Sequence, residues 1–190
     1  MLFTKRTHTC GALRASDVGN TVSLNGWLQV RRDLGGMIFI DLRDRYGVTQ
    51  VVFSPQQNPE LHKRAHELRS EYVLSVTGVV ALRPSGMGNA HLPTGEVEVQ
   101  ATALEILNAS DVTPFEILDD VDANEDLRLK YRYLDLRRPV LQKNFLLRHR
   151  VPKVVHRHFD ALGFLEIETP VLMKSTPEGA RDYLVPSRVH

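Results

Sequence analysis

The chain has 190 residues, room for one large domain or two small ones, and its 42% apolar and 25% charged content is that of an ordinary soluble globular protein. A single cysteine, Cys10, excludes an intrachain disulfide. No signal-peptide core is present and no apolar run reaches the ~20 residues that span a bilayer, so a cytoplasmic protein without membrane contact is expected. The net charge of +1 conceals a strong asymmetry: Asp111 to Asp126 carries seven acids and no Lys or Arg, whereas Leu127 to Arg157 carries ten Lys or Arg against Asp135 alone.

Thr21 to Val30 alternates, with Val22, Leu24, Leu28 and Val30 on one face of a strand. Asp33-Leu34-Gly35-Gly36 reads as a turn, Met37 to Asp44 as a second strand and Val48 to Phe53 as a third. Asn58 to Arg69 has helical spacing through Leu61, Ala65 and Leu68. Tyr72 to Leu82 and Glu96 to Leu107 supply two further strands around a Pro/Gly-rich loop. Three strands, a helix and two strands is the order of the oligonucleotide-binding (OB) barrel, and another small β-domain is the alternative.

Residues 108 to 126 read as an acidic linker. Asn124 to Leu136 is helix-like, Pro139 interrupts, and Leu141 to Leu162 is a longer amphipathic helix. Leu147, Val151, Val154, Val155, Phe159 and Leu162 recur along it, Pro152 should kink or restart it, and Gly163 caps it. Phe164 to Leu172 reads as a strand. The segment after it, Lys174 to Arg188, is dense in Pro, Gly and charge and reads as a functional loop.

Most motif tests are negative. No phosphate-binding G-x-x-x-x-G-K-[ST] is present, and Gly86-Met87-Gly88 lacks the setting of a dinucleotide site. His156 and His158 are too close in sequence to share a helix face, and Cys10 near His8 makes no metal set. Phe39 is the informative residue. If Ile38 and Ile40 fill a barrel, Phe39 points outward beside Arg31, Arg32, Arg43 and Gln50, as a base-stacking platform requires. Packing of Phe39 beneath the helix is the competing reading.

Five stretches bear a resemblance: Gly26-Trp27 with Arg31 to Gly36, Phe39 to Asp44, Leu129 to Pro139, Glu168-Thr169-Pro170, and Ser175 to Arg188. Through them the whole chain resembles the N-terminal part of bacterial aspartyl-tRNA synthetases, class II aminoacyl-tRNA synthetases of protein biosynthesis. The resemblance implies an α+β chain with an N-terminal five-stranded OB-fold barrel (1–107), a hinge (108–140) and the start of a class II catalytic domain, an antiparallel sheet with helices, cut short (141–190). It implies that Phe39 stacks on the central anticodon base of tRNA(Asp), with Arg32, Gln50, Arg83 and Glu98 near the anticodon bases. Val30 stands where the family often has a further basic residue, and Leu34 leans toward forms specific for the aspartate tRNA. Pro170 matches the first class II motif, which builds a homodimer interface, and Glu178 matches the residue contacting the α-ammonium of L-aspartate.

The implied activity is aspartate–tRNA ligation. ATP and Mg²⁺ would be cofactors of the whole enzyme, not expected bound to this chain alone, because the second and third class II motifs are not among its residues. The purified 190-residue chain is therefore expected to show no ATP–pyrophosphate exchange. A stand-alone anticodon-binding module and a dimerisation fragment are the other readings carried forward.

Overall fold

The computed structural model describes residues 5–172 and 185–188. Two compact units divide at Gln142/Lys143.

In the first unit, strands β1 (Thr21–Leu34), β2 (Met37–Asp44), β3 (Gly47–Phe53), β4 (Val73–Leu82) and β5 (Val97–Asn108) close a barrel in the order β1-β2-β3-β5-β4. All neighbours are antiparallel except β3 and β5, which pair through Val51 and Val52 with Val99 and Gln100. Period-2 alternation aims Val22, Leu24, Leu28, Ile38, Ile40, Leu42, Val51, Val97 and Val99 into one core, each at most 1% exposed. Helix α1 (Pro59–Ala65) adds Leu61 and Ala65 to that core, with Leu68 following. Asn58 starts α1 by accepting from the Leu61 amide (3.0 Å), and Pro59 occupies the first helical position. The helix is shorter than its spacing predicts. After Ala65 the bonds tighten to the i→i+3 kind at His66, Glu67 and Leu68.

The face assigned to β1 holds as far as Leu28 and fails at Val30, which is 40% exposed. The cause is a bulge. The β1–β2 register shifts between Leu28 and Val30, and one extra residue reverses the in/out phase. β1 also runs through Asp33 and Leu34, so the turn is only Gly35-Gly36, with φ of +60° and +77°. Two consecutive left-handed positions are what a tight hairpin of this twist demands, and glycine supplies them without strain.

The hinge is more structured than its acidic composition predicts. Phe115 and Ile117 bury against Leu134, forming a small second core with Val121, Ala123, Leu127 and Tyr131 around it. The predicted Asn124–Leu136 helix is two pieces, α2 (Glu125–Lys130) and α3 (Arg132–Asp135), broken at Tyr131, whose φ of −105° and ψ of 47° are not helical. Asn124 caps α2 through the Leu127 amide at 2.9 Å. Asp135, fully buried, pairs with Arg132 and with Arg138 (2.9 Å). Arg138 also donates to the carbonyls of Leu118 (3.0 Å) and Asp119 (2.7 Å), which ties the acidic segment to the basic one. The Arg137 guanidinium lies 4.8 Å from the Trp27 ring centre, a contact from the hinge to the outer side of β1.

Helix α4 (Pro139–Ala161) starts at Pro139 rather than after it, because the first helical turn needs no amide donor there. It runs through Pro152 without a break. In the second unit Gly163 (φ +81°) ends it in a Schellman motif: the Gly163 amide donates to Asp160 O and the Phe164 amide to Phe159 O. The rings of Phe159 and Phe164 meet edge to face at 5.3 Å, the apolar contact that accompanies this cap. Phe164 to Leu172 is not a strand, contrary to its alternation. A strand exists through its ladder, and no described segment pairs with this one.

Candidate nucleic-acid interface

The bulge in β1 has a functional consequence. By reversing phase it brings Arg32 to the outer face, where the register sets it opposite Phe39. On β2, Phe39 and Asp41 share that face by alternation. On β3, Gln50 and Val52 share it, opposite Asp41 and Phe39 respectively. On β5 the outward residues are Glu98 and Gln100. Arg32, Phe39, Gln50 and Glu98, from β1, β2, β3 and β5, therefore belong to one side of the barrel, and Arg83 follows the end of β4 beside Val97. Phe39 is partly exposed while Ile38 and Ile40 are fully buried, and it has no place in the core that α1 covers. The reading that packs it beneath the helix is excluded.

Hydrogen bonds fix the polar members relative to one another. Arg32 Nη2 donates to Asp41 Oδ1 (2.7 Å) and to Gln50 Oε1 (3.3 Å). Gln50 Nε2 donates to Glu98 Oε2 (2.9 Å). The Arg83 side chain is anchored by Nε on Val97 O (3.1 Å), and its buried Nη2 has no partner among the described residues. Burial pulls the Arg83 guanidinium below its ordinary value; Glu98 and Asp41 oppose this and Arg32 adds to it. Burial pushes the Glu98 carboxyl above the usual carboxylate range, opposed by the Gln50 hydrogen bond and by Arg83. The result is an aromatic face beside a preordered row of donors and acceptors. Such a surface can stack an unpaired base and hydrogen-bond to base edges.

The raised Glu98 carboxyl has a measurable sign. Between the unfolded value of 4.5 and the higher folded value, the native chain keeps a proton that the unfolded chain has released, so stability falls as pH rises through that window. Glu98→Gln is expected to flatten this part of the profile and to leave the variant at least as stable as wild type at neutral pH. Urea midpoints of both proteins measured from pH 4 to pH 8 test it; parallel curves would remove the assignment.

Two basic residues expected beside Phe39 are engaged elsewhere. Arg31 donates to His66 O (2.9 Å), and Arg43 clamps both carboxylate oxygens of Glu71 (2.9 and 3.0 Å). Asp41 is a member of the network that sequence reasoning missed. Its signal was available, two residues from Phe39 on the same strand. Pro170 is exposed in a stretch without regular structure, and Glu178 lies outside the described residues. Cys10 is fully buried, and burial together with the Asp44 carboxylate pushes its thiol far above its ordinary value, so it offers no nucleophile. Among the described residues no cluster of His, Cys, Asp and Glu could hold a metal ion, and no helix is long and apolar enough to cross a membrane.

Comparison with known proteins agrees with this architecture. Residues 22–107 match the family described as OB-fold nucleic acid binding domain, and residues 124–190 match tRNA synthetases class II (D, K and N). The chain is 60% identical over 185 residues to an aspartate–tRNA(Asp/Asn) ligase of Oleidesulfovibrio alaskensis, covering 97% of this chain and 30% of the relative. It is 58% identical over 186 residues to the ligase of the same name from Bacillus cytotoxicus, covering 98% of this chain and 32% of the relative.

Along nearly its whole length the chain is similar to aspartate–tRNA ligases.

It spans about a third of the length of these synthetases. A solved asparaginyl-tRNA synthetase from Pyrococcus horikoshii superposes with a TM-score of 0.75 at 25% identity, over 87% of this chain and 38% of that one. The OB-fold barrel and the class II assignment of the segment after it both stand on these matches. In the synthetase frame, the outer face carrying Phe39 is a surface of the nucleic-acid-binding barrel, whereas α4 falls within the class II segment.

Proposed function

We propose that this chain supplies the anticodon-reading barrel, the hinge and the opening of the catalytic domain to an aspartate–tRNA ligase. One observation carries the reading: the outer barrel face that unites Phe39 with the Arg32–Gln50–Glu98 hydrogen-bond row. In this role Phe39 stacks on the central anticodon base, while Arg32, Gln50, Arg83 and Glu98 address base edges. The buried Nη2 of Arg83 has no hydrogen-bond partner among the described residues and is the donor of this face best placed to gain one.

The reaction served is two-step. The aspartate carboxylate attacks the α-phosphate of ATP, forming aspartyl-adenylate and releasing pyrophosphate. The terminal ribose hydroxyl of the tRNA then attacks the acyl carbon and expels AMP. When bound to the whole enzyme, Mg²⁺ would supply charge neutralisation of the phosphates together with cationic side chains. Glu178 would hold the aspartate ammonium by a charge-assisted hydrogen bond. The whole enzyme would be a homodimer through the first class II motif with Pro170. Consistent with a covering partner, α4 exposes Leu147, Val151 and Val154, and Leu162 follows its end, each more than half accessible.

The test is a fluorescence titration of the 190-residue chain with the tRNA(Asp) anticodon stem-loop, the tRNA(Asn) stem-loop and one with an unrelated anticodon. Saturable binding that prefers the first over the third is expected; equal affinity for these two would sink the reading. The asparagine arm is included because the relatives carry a dual tRNA(Asp/Asn) name. Leu34, 59% exposed at the end of β1, leans toward the aspartate anticodon alone.

A further inference from the structure

The opposite end of β2 carries a second surface that the anticodon reading does not use. The β2–β3 turn places Arg45 and Tyr46 on the outside of the barrel, six residues or more beyond Phe39. At ~3.3 Å per strand residue this is about 20 Å away. Tyr46 is 53% exposed. The Arg45 guanidinium lies 4.8 Å from its ring centre, and that of Arg6 lies 5.9 Å from it. Lys5 is exposed next to Arg6.

The turn is held rigidly, which makes these contacts more than chance neighbours. Asp44, itself buried, accepts from the Tyr46 amide (2.7 Å) and the Gly47 amide (3.1 Å) with Oδ1, and from the Cys10 amide (3.0 Å) with Oδ2. One carboxylate thereby joins the turn to the N-terminal segment. Gly11 and Gly47 allow the close approach: a Cβ on Gly11 would lie 2.1 Å from Tyr46 O. Asp44 partly neutralises Arg6 at 3.5 Å. Among the described residues Arg45 has no carboxylate within ion-pair distance.

A rigid, exposed ring flanked by two guanidinium groups, with net positive charge and no acid to spare, suits a phosphodiester backbone. The cations can neutralise adjacent phosphates, and the ring can pack on a ribose or a base. A peptide ligand would have to be acidic, and nothing on this surface offers the apolar pocket or the strand edge by which peptides are held. We propose that Arg6, Arg45 and Tyr46 form a second RNA contact, which grips the sugar–phosphate backbone of the anticodon stem while the Phe39 face reads the loop. The inference rests on the anticodon reading given above.

The experiment measures binding of the full 190-residue chain to two RNAs, the anticodon stem-loop and the isolated single-stranded anticodon loop, over a range of salt. Arg45→Ala is expected to weaken the stem-loop roughly tenfold near 0.1 M salt, and to lower the slope of log K against log salt by about 1. Affinity for the isolated loop should not change. Arg45→Lys should restore the slope, because a phosphate contact needs the charge. Arg6→Ala should act in the same direction by a smaller amount, since Asp44 already holds part of its charge. Circular dichroism and melting of each variant confirm that the turn still folds. An unchanged stem-loop affinity and slope, the result expected if the two arginines only cover Tyr46, would overturn the proposal, and so would equal weakening of both RNAs. If wild type fails to prefer the aspartate stem-loop, the anticodon reading fails instead, a result separate from either of these.

Discussion

Replacing Asp135 by Ala is expected to open the hinge while the barrel stays folded. Asp135 is fully buried and faces two guanidinium groups, those of Arg132 and Arg138. Arg138 is itself only 8% exposed. Removing one partner of a buried ion pair costs about 3–5 kcal/mol, because the remaining charge has lost its counter-charge and cannot reach water. The lower end applies here, since Arg138 keeps the Leu118 and Asp119 carbonyls as acceptors. That is still more than the small cluster of Phe115, Ile117 and Leu134 can absorb. The barrel has its own core and shares none of these residues. Hydrogen exchange should therefore show amides of residues 115–138 losing protection, while those of β1 to β5 keep it. A uniform loss of protection would mean that hinge and barrel unfold as one unit, and no loss would mean that the pair is not structural. Asp135→Asn should fall between, keeping an acceptor for Arg138 but not the charge.

The same residues show where sequence reasoning reaches and where it stops. Local chemistry was readable. Gly163 announces a helix end by its lack of a side chain and stands where expected, and the helices read from Asn58 and Asn124 do start there, with each Asn as the cap. Alternation along β2 offered the outward reading of Phe39 beside one that packs it beneath the helix, and the burial of Ile38 and Ile40 in the core decides between them. What depends on pairing between strands was not readable. The bulge beside Gln29 is a property of the β1–β2 register, so Val30 was assigned inward and the route by which Arg32 joins Phe39 stayed hidden. Phe164 to Leu172 alternates like a strand, yet alternation describes a half-buried surface and cannot supply the neighbour that makes a ladder. Composition misled at the hinge. Seven acids between Asp111 and Asp126 suggest a solvated linker, but Phe115 and Ile117 are enough to bury it once Leu134 is brought near by the Asp135–Arg138 clip.

Phe39→Ala should separate the anticodon reading from general attraction of RNA to a basic chain. Truncating a ring that stacks on a base removes about 1–3 kcal/mol of binding, roughly a 5- to 150-fold loss of affinity. The ring carries no charge, so the salt dependence of binding should be that of wild type, in contrast to the loss of slope expected for Arg45→Ala. Fold stability should change little, since Phe39 lies outside the barrel core and its neighbours across the sheet are Arg32 and Val52. Stem-loop titrations at several salt concentrations, with a melting curve for each protein, read all three quantities. A weaker complex with parallel salt slopes and an unchanged melting temperature places the base on Phe39. Unchanged affinity would leave the Arg32–Gln50–Glu98 row without its stacking partner, and binding would then have to be ascribed to charge alone. Because that row stays preordered by Asp41 whether or not the ring is present, the two contributions can be measured independently. Gln50→Ala, which cuts the row between Arg32 and Glu98, should add to Phe39→Ala only to the extent that stacking and edge recognition act on different atoms of the RNA.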